Sequence, residues 1–87
     1  MVIEKKAIPE LFEKVLSGEK TFDARLDSFE CKPGDTLVLR EWDPKKEKYT
    51  GRKLEKKVTY VLKSKDLEKF WSKEEVNKYG FQIIAFK

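Results

Sequence analysis

Histidine is absent from this chain of 87 residues, and cysteine occurs only once, at Cys31. Without histidine, the chain lacks the commonest proton shuttle near neutral pH and the commonest nitrogen ligand for metals. A single cysteine forms neither an internal disulfide nor a thiolate metal cluster, which is typical of a reducing compartment. We therefore exclude serine–histidine and cysteine–histidine catalysis within this chain, and we expect no bound metal and no cofactor.

Long apolar runs are also lacking. The longest uncharged apolar stretch is residues 81–86, which Gln82 interrupts, whereas a membrane-spanning helix needs about 20 apolar residues. Near the start of the chain, the charges of Glu4, Lys5 and Lys6 leave no apolar core for an export signal. The length suits a single domain, residues 1–87, and we expect this domain to be soluble and cytoplasmic.

Charge is unevenly distributed along the chain. Residues 1–43 hold 7 basic and 10 acidic side chains, a net charge of −3, and residues 44–87 hold 13 and 6, a net charge of +7. Much of the excess lies in residues 44–57, where the basic side chains are Lys45, Lys46, Lys48, Arg52, Lys53, Lys56 and Lys57. Such a patch attracts polyphosphates through its long-range field. The alternative is a solvated hairpin that lysine keeps soluble.

The spacing of apolar and turn residues predicts five strands and two or three short helices. We predict strands at residues 2–7, 20–26, 36–42, 53–62 and 81–87, and helical segments at residues 9–16, 66–71 and 73–79. Ser72 and Glu75 match a capping box, and Val38 should lie at the centre of a buried strand. A long loop between Trp42 and residue 53 would carry part of the basic segment. We expect an α+β, mainly β fold, a small mixed β-barrel, because closure hides strand edges.

The densest group of chemically active side chains follows the first predicted helix, in the segment Gly18-Glu19-Lys20-Thr21-Phe22-Asp23-Ala24-Arg25. This segment resembles the signature of ASCH domains, a branch of the PUA-like superfamily. The chain is also similar to the DUF3850 family of small bacterial and phage proteins over roughly residues 8–62. The segments that carry this similarity are Ile8–Gly18, Lys32–Asp35, Leu39–Asp43, Tyr49–Arg52 and Val58–Leu62.

The resemblance implies a PUA-like β-barrel with a cleft beside the first helix, which binds RNA or a modified nucleoside. One ASCH branch contains small amidohydrolases that deacetylate acetylated cytidine with a lysine in this motif, a threonine three residues later and a distant glutamate. Lys20 matches the lysine, but Asp23 stands at the position of the threonine. The distant glutamate has three candidates, Glu68, Glu74 and Glu75, and no motif selects among them.

The candidate binding residues combine this motif with the arginines and the basic segment, because arginine offers a planar fork to phosphates and base edges. They are Lys20, Thr21, Asp23, Arg25, Arg40, Trp42, Lys45, Lys46, Lys48, Arg52 and Lys53. The catalytic candidates of an enzyme would be Lys20, Asp23 and Glu41. Simpler structural roles stay open. Asp23 and Arg25 can form an ion pair that only organises the mouth of the cleft, and Trp42 can cap the end of a barrel.

Three functions follow as hypotheses. The first is a module that binds RNA or a nucleotide through a basic cleft, with Arg40 and Trp42 sandwiching a base. The second is a small amidohydrolase in which Lys20 attacks or activates water while Asp23 or Glu41, a possible buried partner of Lys20, moves the proton. The third is a domain that binds only other proteins.

We expect Phe70 and Trp71 to belong to the core.

Overall fold

A computed structural model describes residues 1–80, 82 and 84 of the chain. In these residues the strands are β1 (Val2–Ala7), β2 (Thr36–Asp43) and β3 (Lys48–Lys57). The α-helices are α1 (Pro9–Leu16), α2 (Ser64–Leu67) and α3 (Lys73–Tyr79), and a 3-10 helix, Glu68–Phe70, follows α2. The α+β class is confirmed.

The three strands form one mixed sheet in the order β1-β2-β3. β1 runs parallel to β2, and β2 runs antiparallel to β3. Over the described residues this sheet is open, with β1 and β3 at its edges, and it is not the five-stranded barrel that we expected. Of the predicted strand at residues 81–87, all but Gln82 and Ile84 lies outside the described residues.

Helix α1 covers one face of the sheet and forms the core with it. Pro9 stands in the first turn, where its missing N–H is not needed, and Gly18 follows the end of the helix with a φ of 85°. Phe12 and Val15 lie one turn apart, so both side chains face the sheet. They pack with Ala7 and Leu39 in the buried core. The predicted helix and the buried centre of β2 are therefore confirmed, and Val38 is also buried.

Side chains alternate across a strand, so the register defines a second face of the sheet, which we call the far face because it lies opposite α1. Glu4, Val38 and Glu55 are neighbours across the three strands there. The next row contains the basic residues Lys6, Arg40 and Lys53. Beyond it, Trp42 pairs with Tyr49. The far face therefore carries, in succession, two carboxylates on either side of the buried Val38, a basic row and an aromatic pair.

The prediction of a strand at residues 20–26 is wrong, because this segment has no regular secondary structure. Alternation alone does not make a strand without a partner to complete its hydrogen bonds. No strand of the described sheet pairs with this segment. Instead Arg25 attaches it to the sheet, since its guanidinium donates to the Lys6 carbonyl at 2.7 Å.

The limits of β3 also differ from the prediction. The strand begins at Lys48 rather than at residue 53, so the basic segment lies mainly on a strand and not in a long loop. The Asp43 carboxylate accepts from the backbone N–H groups of Lys45 and Lys46 and closes a short turn. The strand ends at Lys57 because β2 offers no pairing beyond Thr36. Val58 instead bonds to the turn at Gly34 and Asp35.

The helices after β3 are short and carry exposed aromatic side chains. The capping box of α3 is confirmed, since the Ser72 side chain accepts from Glu75 N–H and the Glu75 side chain accepts from Ser72 N–H. Phe70 and Trp71 are 65% and 46% exposed, so the prediction that they belong to the core is wrong. They touch each other edge to face rather than packing under the sheet. No helix in the described part of the chain is long and apolar enough to cross a membrane.

Candidate functional site

Four side chains of the far face form a cluster of alternating cations and aromatic rings, which we call the stacked cluster: Lys6, Arg40, Trp42 and Tyr49. The Arg40 guanidinium lies 3.8 Å from the centroid of the Tyr49 ring. The Lys6 ammonium lies 3.8 Å from the centroid of the Trp42 ring, and the two rings meet edge to face at 5.0 Å. Arg40 and Trp42, which the sequence predicted as neighbours on one strand face, are therefore brought together through Tyr49.

The register explains how residues from three strands reach this cluster. Lys6 is the neighbour of Arg40 across the parallel pair, and Trp42 is the partner of Tyr49 across the hairpin. Between these two positions the pairing of β2 and β3 is irregular, because Glu41 alone stands opposite the residues from Thr50 to Arg52. Gly51, with a φ of 97°, occupies the centre of this bulge. The bulge therefore aligns Tyr49 with Arg40 and Trp42.

A cleft of about 360 Å³ opens beside the stacked cluster. Its lining residues are Glu4, Arg40, Tyr49, Gly51, Arg52 and Lys53. A volume of this order falls within the range of small-molecule sites, roughly 300–1,000 Å³. Arg40 thus belongs both to the stack and to the wall of the cleft.

Two of the cations that line this cleft, Arg40 and Lys53, have no ion-pair partner among the described residues, whereas the third, Arg52, is paired with carboxylates. Within the described chain, Lys6, Arg40 and Lys53 form no ion pair, and the Glu4 carboxylate has no hydrogen-bond or ion-pair partner. By contrast, the two other arginines, Arg25 and Arg52, each contact carboxylates. The cations of the far face therefore remain available to an external anion.

The residues of the predicted motif form a second group, the ion-pair motif of Lys20, Asp23 and Arg25. Asp23 accepts from Arg25 Nε at 2.6 Å, and the Lys20 ammonium lies 3.8 Å from the same carboxylate. The side chains of Lys20 and Asp23 are only 15% and 18% exposed. Arg25 links the motif to the stacked cluster through the backbone of Lys6. The cleft itself is not lined by the ion-pair motif.

Glu41 lies on the opposite face, between the sheet and α1, where its carboxylate is buried. Arg52 donates to it from Nε at 2.9 Å and from a terminal nitrogen at 2.7 Å, and Thr50 donates at 2.6 Å. These donors, Arg52 first, lower the pKa of Glu41 from 4.5 to about 2. The same contact with Glu41, together with one from Glu13, raises the pKa of Arg52. The partner of Glu41 is thus Arg52 rather than Lys20.

The remaining candidates surround these groups. Thr21 is exposed in the segment of the ion-pair motif, and Lys45, Lys46 and Lys48 are exposed in and after the tight turn. The three lysines lie at the hairpin end of the sheet, which is also the end that carries Trp42 and Tyr49. In the described part of the chain, no group of three or more cysteine, aspartate and glutamate side chains is arranged to hold a metal ion.

Sequence reasoning missed Glu4, Lys6 and Tyr49 as site residues. Lys6 and Glu4 alternate with the buried Ile3 and Ala7, so their shared face was visible in the sequence. Tyr49 was missed because the residues between Trp42 and residue 53 were expected to form a long loop. A short turn after Asp43 would have placed Tyr49 directly opposite Trp42.

The fold thus defines a class of protein: a small α+β domain with an open mixed sheet over the described residues, whose far face is basic and aromatic. The chain belongs to the family described as domain of unknown function (DUF3850), which matches residues 3–72. This confirms the resemblance to the DUF3850 family that was drawn from the sequence. Neither a curated protein nor a solved structure matches the chain.

Proposed function

We propose that the far face of the sheet binds RNA or a nucleotide in the cleft beside the stacked cluster. The observation that carries this proposal is a set of cations, Lys6, Arg40 and Lys53, that form no ion pair with any described residue and lie next to the rings of Trp42 and Tyr49. Cations attract phosphates, and aromatic or guanidinium planes stack on bases, so both halves of a nucleotide find a partner.

The charge of the hairpin supports the same assignment. Lys45, Lys46 and Lys48 lie in or beside the turn that brings Tyr49 opposite Trp42, so a strand of nucleic acid leaving the cleft at this end would meet further cations. Lysine acts there as a flexible point charge, which suits contacts to phosphates rather than to base edges. The hairpin would thus add affinity without sequence preference.

The test is binding of a fluorescently labelled single-stranded RNA, measured by anisotropy, to the wild-type protein and to Tyr49→Ala. Loss of stacking on one base is worth roughly 1–3 kcal/mol, so the variant should bind about 5- to 150-fold more weakly. The matched control is Tyr60→Ala, which removes a tyrosine that is 75% exposed and outside the cleft. Equal affinities of wild type and Tyr49→Ala would reject the proposal.

We also propose that the family is a branch of the ASCH domains in the PUA-like superfamily and that this protein acts in the cytoplasm. The support for the relationship is the motif from Gly18 to Arg25 and its position directly after α1, and the support for the cytoplasm is the single cysteine, which is typical of a reducing compartment. An experimental structure in which residues 81–87 add a strand that closes the sheet would agree with this relationship. A sheet of three strands in the whole chain would contradict it.

The second candidate function is an amidohydrolase for an acetylated, cytidine-like nucleoside. One observation favours it. The side chains of Lys20 and Asp23 are largely buried and adjacent, so a lysine and a carboxylate that can accept a proton lie together, away from bulk solvent. Incubation with acetylated cytidine should then release acetate from the wild type but not from Lys20→Ala. Lys14→Ala, which removes an exposed lysine of α1, is the control. No release by the wild type, or equal release by Lys20→Ala, would exclude the activity.

A further inference from the structure

The wall of the cleft combines two chemically opposite groups, a carboxylate and a guanidinium. Glu4 lies on β1 and Arg40 on β2, and both face the same cleft. The Glu4 carboxylate has no hydrogen-bond or ion-pair partner among the described residues, and the Arg40 guanidinium forms no ion pair there and lies over the Tyr49 ring. An unpaired acid is unexpected in a surface that serves only to attract phosphates, because it repels them.

A carboxylate in such a cleft accepts hydrogen bonds and donates none, whereas a guanidinium only donates. A ligand that satisfies both must therefore present N–H donors on one edge and acceptors on another. Among the four RNA bases, guanine has two adjacent donors, N1–H and N2–H, on its Watson–Crick edge and two adjacent acceptors, O6 and N7, on its other edge. Arginine paired with O6 and N7 is the commonest specific contact to guanine.

The other bases match this pair of groups less well. Adenine presents an amino donor beside the N7 acceptor, so it offers a guanidinium only one acceptor on that edge. Uracil has one ring N–H between two carbonyl groups, and cytosine has one amino group. Each would leave part of the Glu4 carboxylate or of the Arg40 fork without a partner, and an unpaired group in a binding site costs affinity.

Resting on the proposed function, we infer that the cleft selects guanine, with Glu4 accepting from N1–H and N2–H and Arg40 donating toward O6 and N7. Tyr49 supports the plane of the guanidinium, since the Arg40 group already lies over the ring. Lys53, across the hairpin from Arg40, is placed to contact the phosphate. The ligand class is a guanine nucleotide at the end of a single strand or in an unpaired stretch of RNA.

The test uses labelled ten-residue oligouridines in which one central uridine is replaced by guanosine, adenosine, inosine or 7-deazaguanosine. Inosine lacks the N2 amino group, and 7-deazaguanosine lacks N7. The guanosine strand should bind the wild type about tenfold more tightly than the adenosine strand and several-fold more tightly than the inosine and 7-deazaguanosine strands. Equal affinities for the guanosine, adenosine and inosine strands would overturn the inference.

Two variants connect the preference to the named side chain. Glu4→Gln should lose the discrimination between guanosine and inosine. Glu55→Gln, which removes an acid from the same row of the far face but outside the cleft, should keep the wild-type preference. A Glu4→Gln protein that still discriminates as the wild type does would overturn the role of Glu4.

Failure of the inference and failure of the proposed function give different results. Binding of all four strands with equal affinity, weakened by Tyr49→Ala, would reject guanine selection and keep the RNA-binding surface. Affinities that Tyr49→Ala leaves unchanged, or no binding of any strand, would reject both.

Discussion

Arg52 on β3 donates two hydrogen bonds to the buried carboxylate of Glu41 on β2, across the bulge that shapes the hairpin. The same guanidinium contacts Glu13 of α1 and lies 4.9 Å from the centroid of the Phe12 ring. Arg52 therefore joins the hairpin, the central strand and the helix. Because the bulge also aligns Tyr49 with the far face, this contact on one side of the sheet supports the geometry of the candidate site on the other.

The first prediction concerns acid stability. The folded-state pKa of Glu41, about 2, is lower than its ordinary value of 4.5, so its stabilising effect is complete above about pH 5 and disappears as the pH falls toward 2. The urea concentration at the unfolding midpoint should decrease over this range. Glu41→Gln should be less stable at pH 7 but should show a shallower decrease in acid.

Asp35 should account for part of the remaining acid dependence in that variant. Its pKa is lowered by the Lys32 backbone N–H and by the N-terminal ammonium group. The two contributions are separated by comparing Glu41→Gln, Asp35→Asn and the double variant. A Glu41→Gln protein whose acid unfolding curve parallels that of the wild type would contradict the prediction for Glu41.

The second prediction concerns the bulge at Gly51. Its φ of 97° is strained for a residue with a side chain, although no atom lies within 4 Å of an added Cβ. Gly51→Ala should therefore destabilise the protein by about 1–2 kcal/mol through the backbone alone. Gly51→Asn should be less destabilising, because asparagine adopts positive φ more readily. Denaturant titration of both variants checks this, and equal stability of wild type and Gly51→Ala would be inconsistent with it.

The third prediction concerns the core. Phe12 is 1% exposed and lies between α1 and the sheet, so Phe12→Ala should cost about 3–5 kcal/mol of the free energy of unfolding. Phe70→Ala is the matched control, because Phe70 is 65% exposed and its removal should change stability little. Chemical denaturation of the two variants distinguishes them. Similar losses in both would mean that Phe70 is buried in solution.

The fourth prediction concerns salt. If the protein contacts three or four phosphates of the RNA, its affinity should fall with a slope of about −2 to −3 in a plot of log affinity against log salt concentration. Lys53→Gln should make that slope shallower by somewhat less than one unit, whereas Lys73→Gln, at the start of α3, should leave it unchanged. The measurement is anisotropy at several potassium chloride concentrations. A flat dependence for the wild type would argue against phosphate contacts.

The local elements followed well from the sequence. Helix α1 was marked by Pro9 and Gly18, and helix α3 by the capping box of Ser72 and Glu75, because these signals act within a few residues of chain. The strand around Val38 was equally clear. The alternation at residues 20–26 gave a false strand, since alternation describes the faces of a segment but not whether a neighbouring strand is available.

For the candidate site, the sequence by itself determined the composition: an excess of cations after residue 43, the motif of Lys20, Asp23 and Arg25, and arginine beside tryptophan on β2. Only the tertiary structure decided that Lys6 and Tyr49 complete the stacked cluster, that Arg52 neutralises Glu41, and that Glu4 faces the cleft with Arg40. These relationships depend on strand order and on the register across the bulge. The register of β2 and β3 is set by the turn at Asp43, and packing on α1 brings together residues that are far apart in the chain.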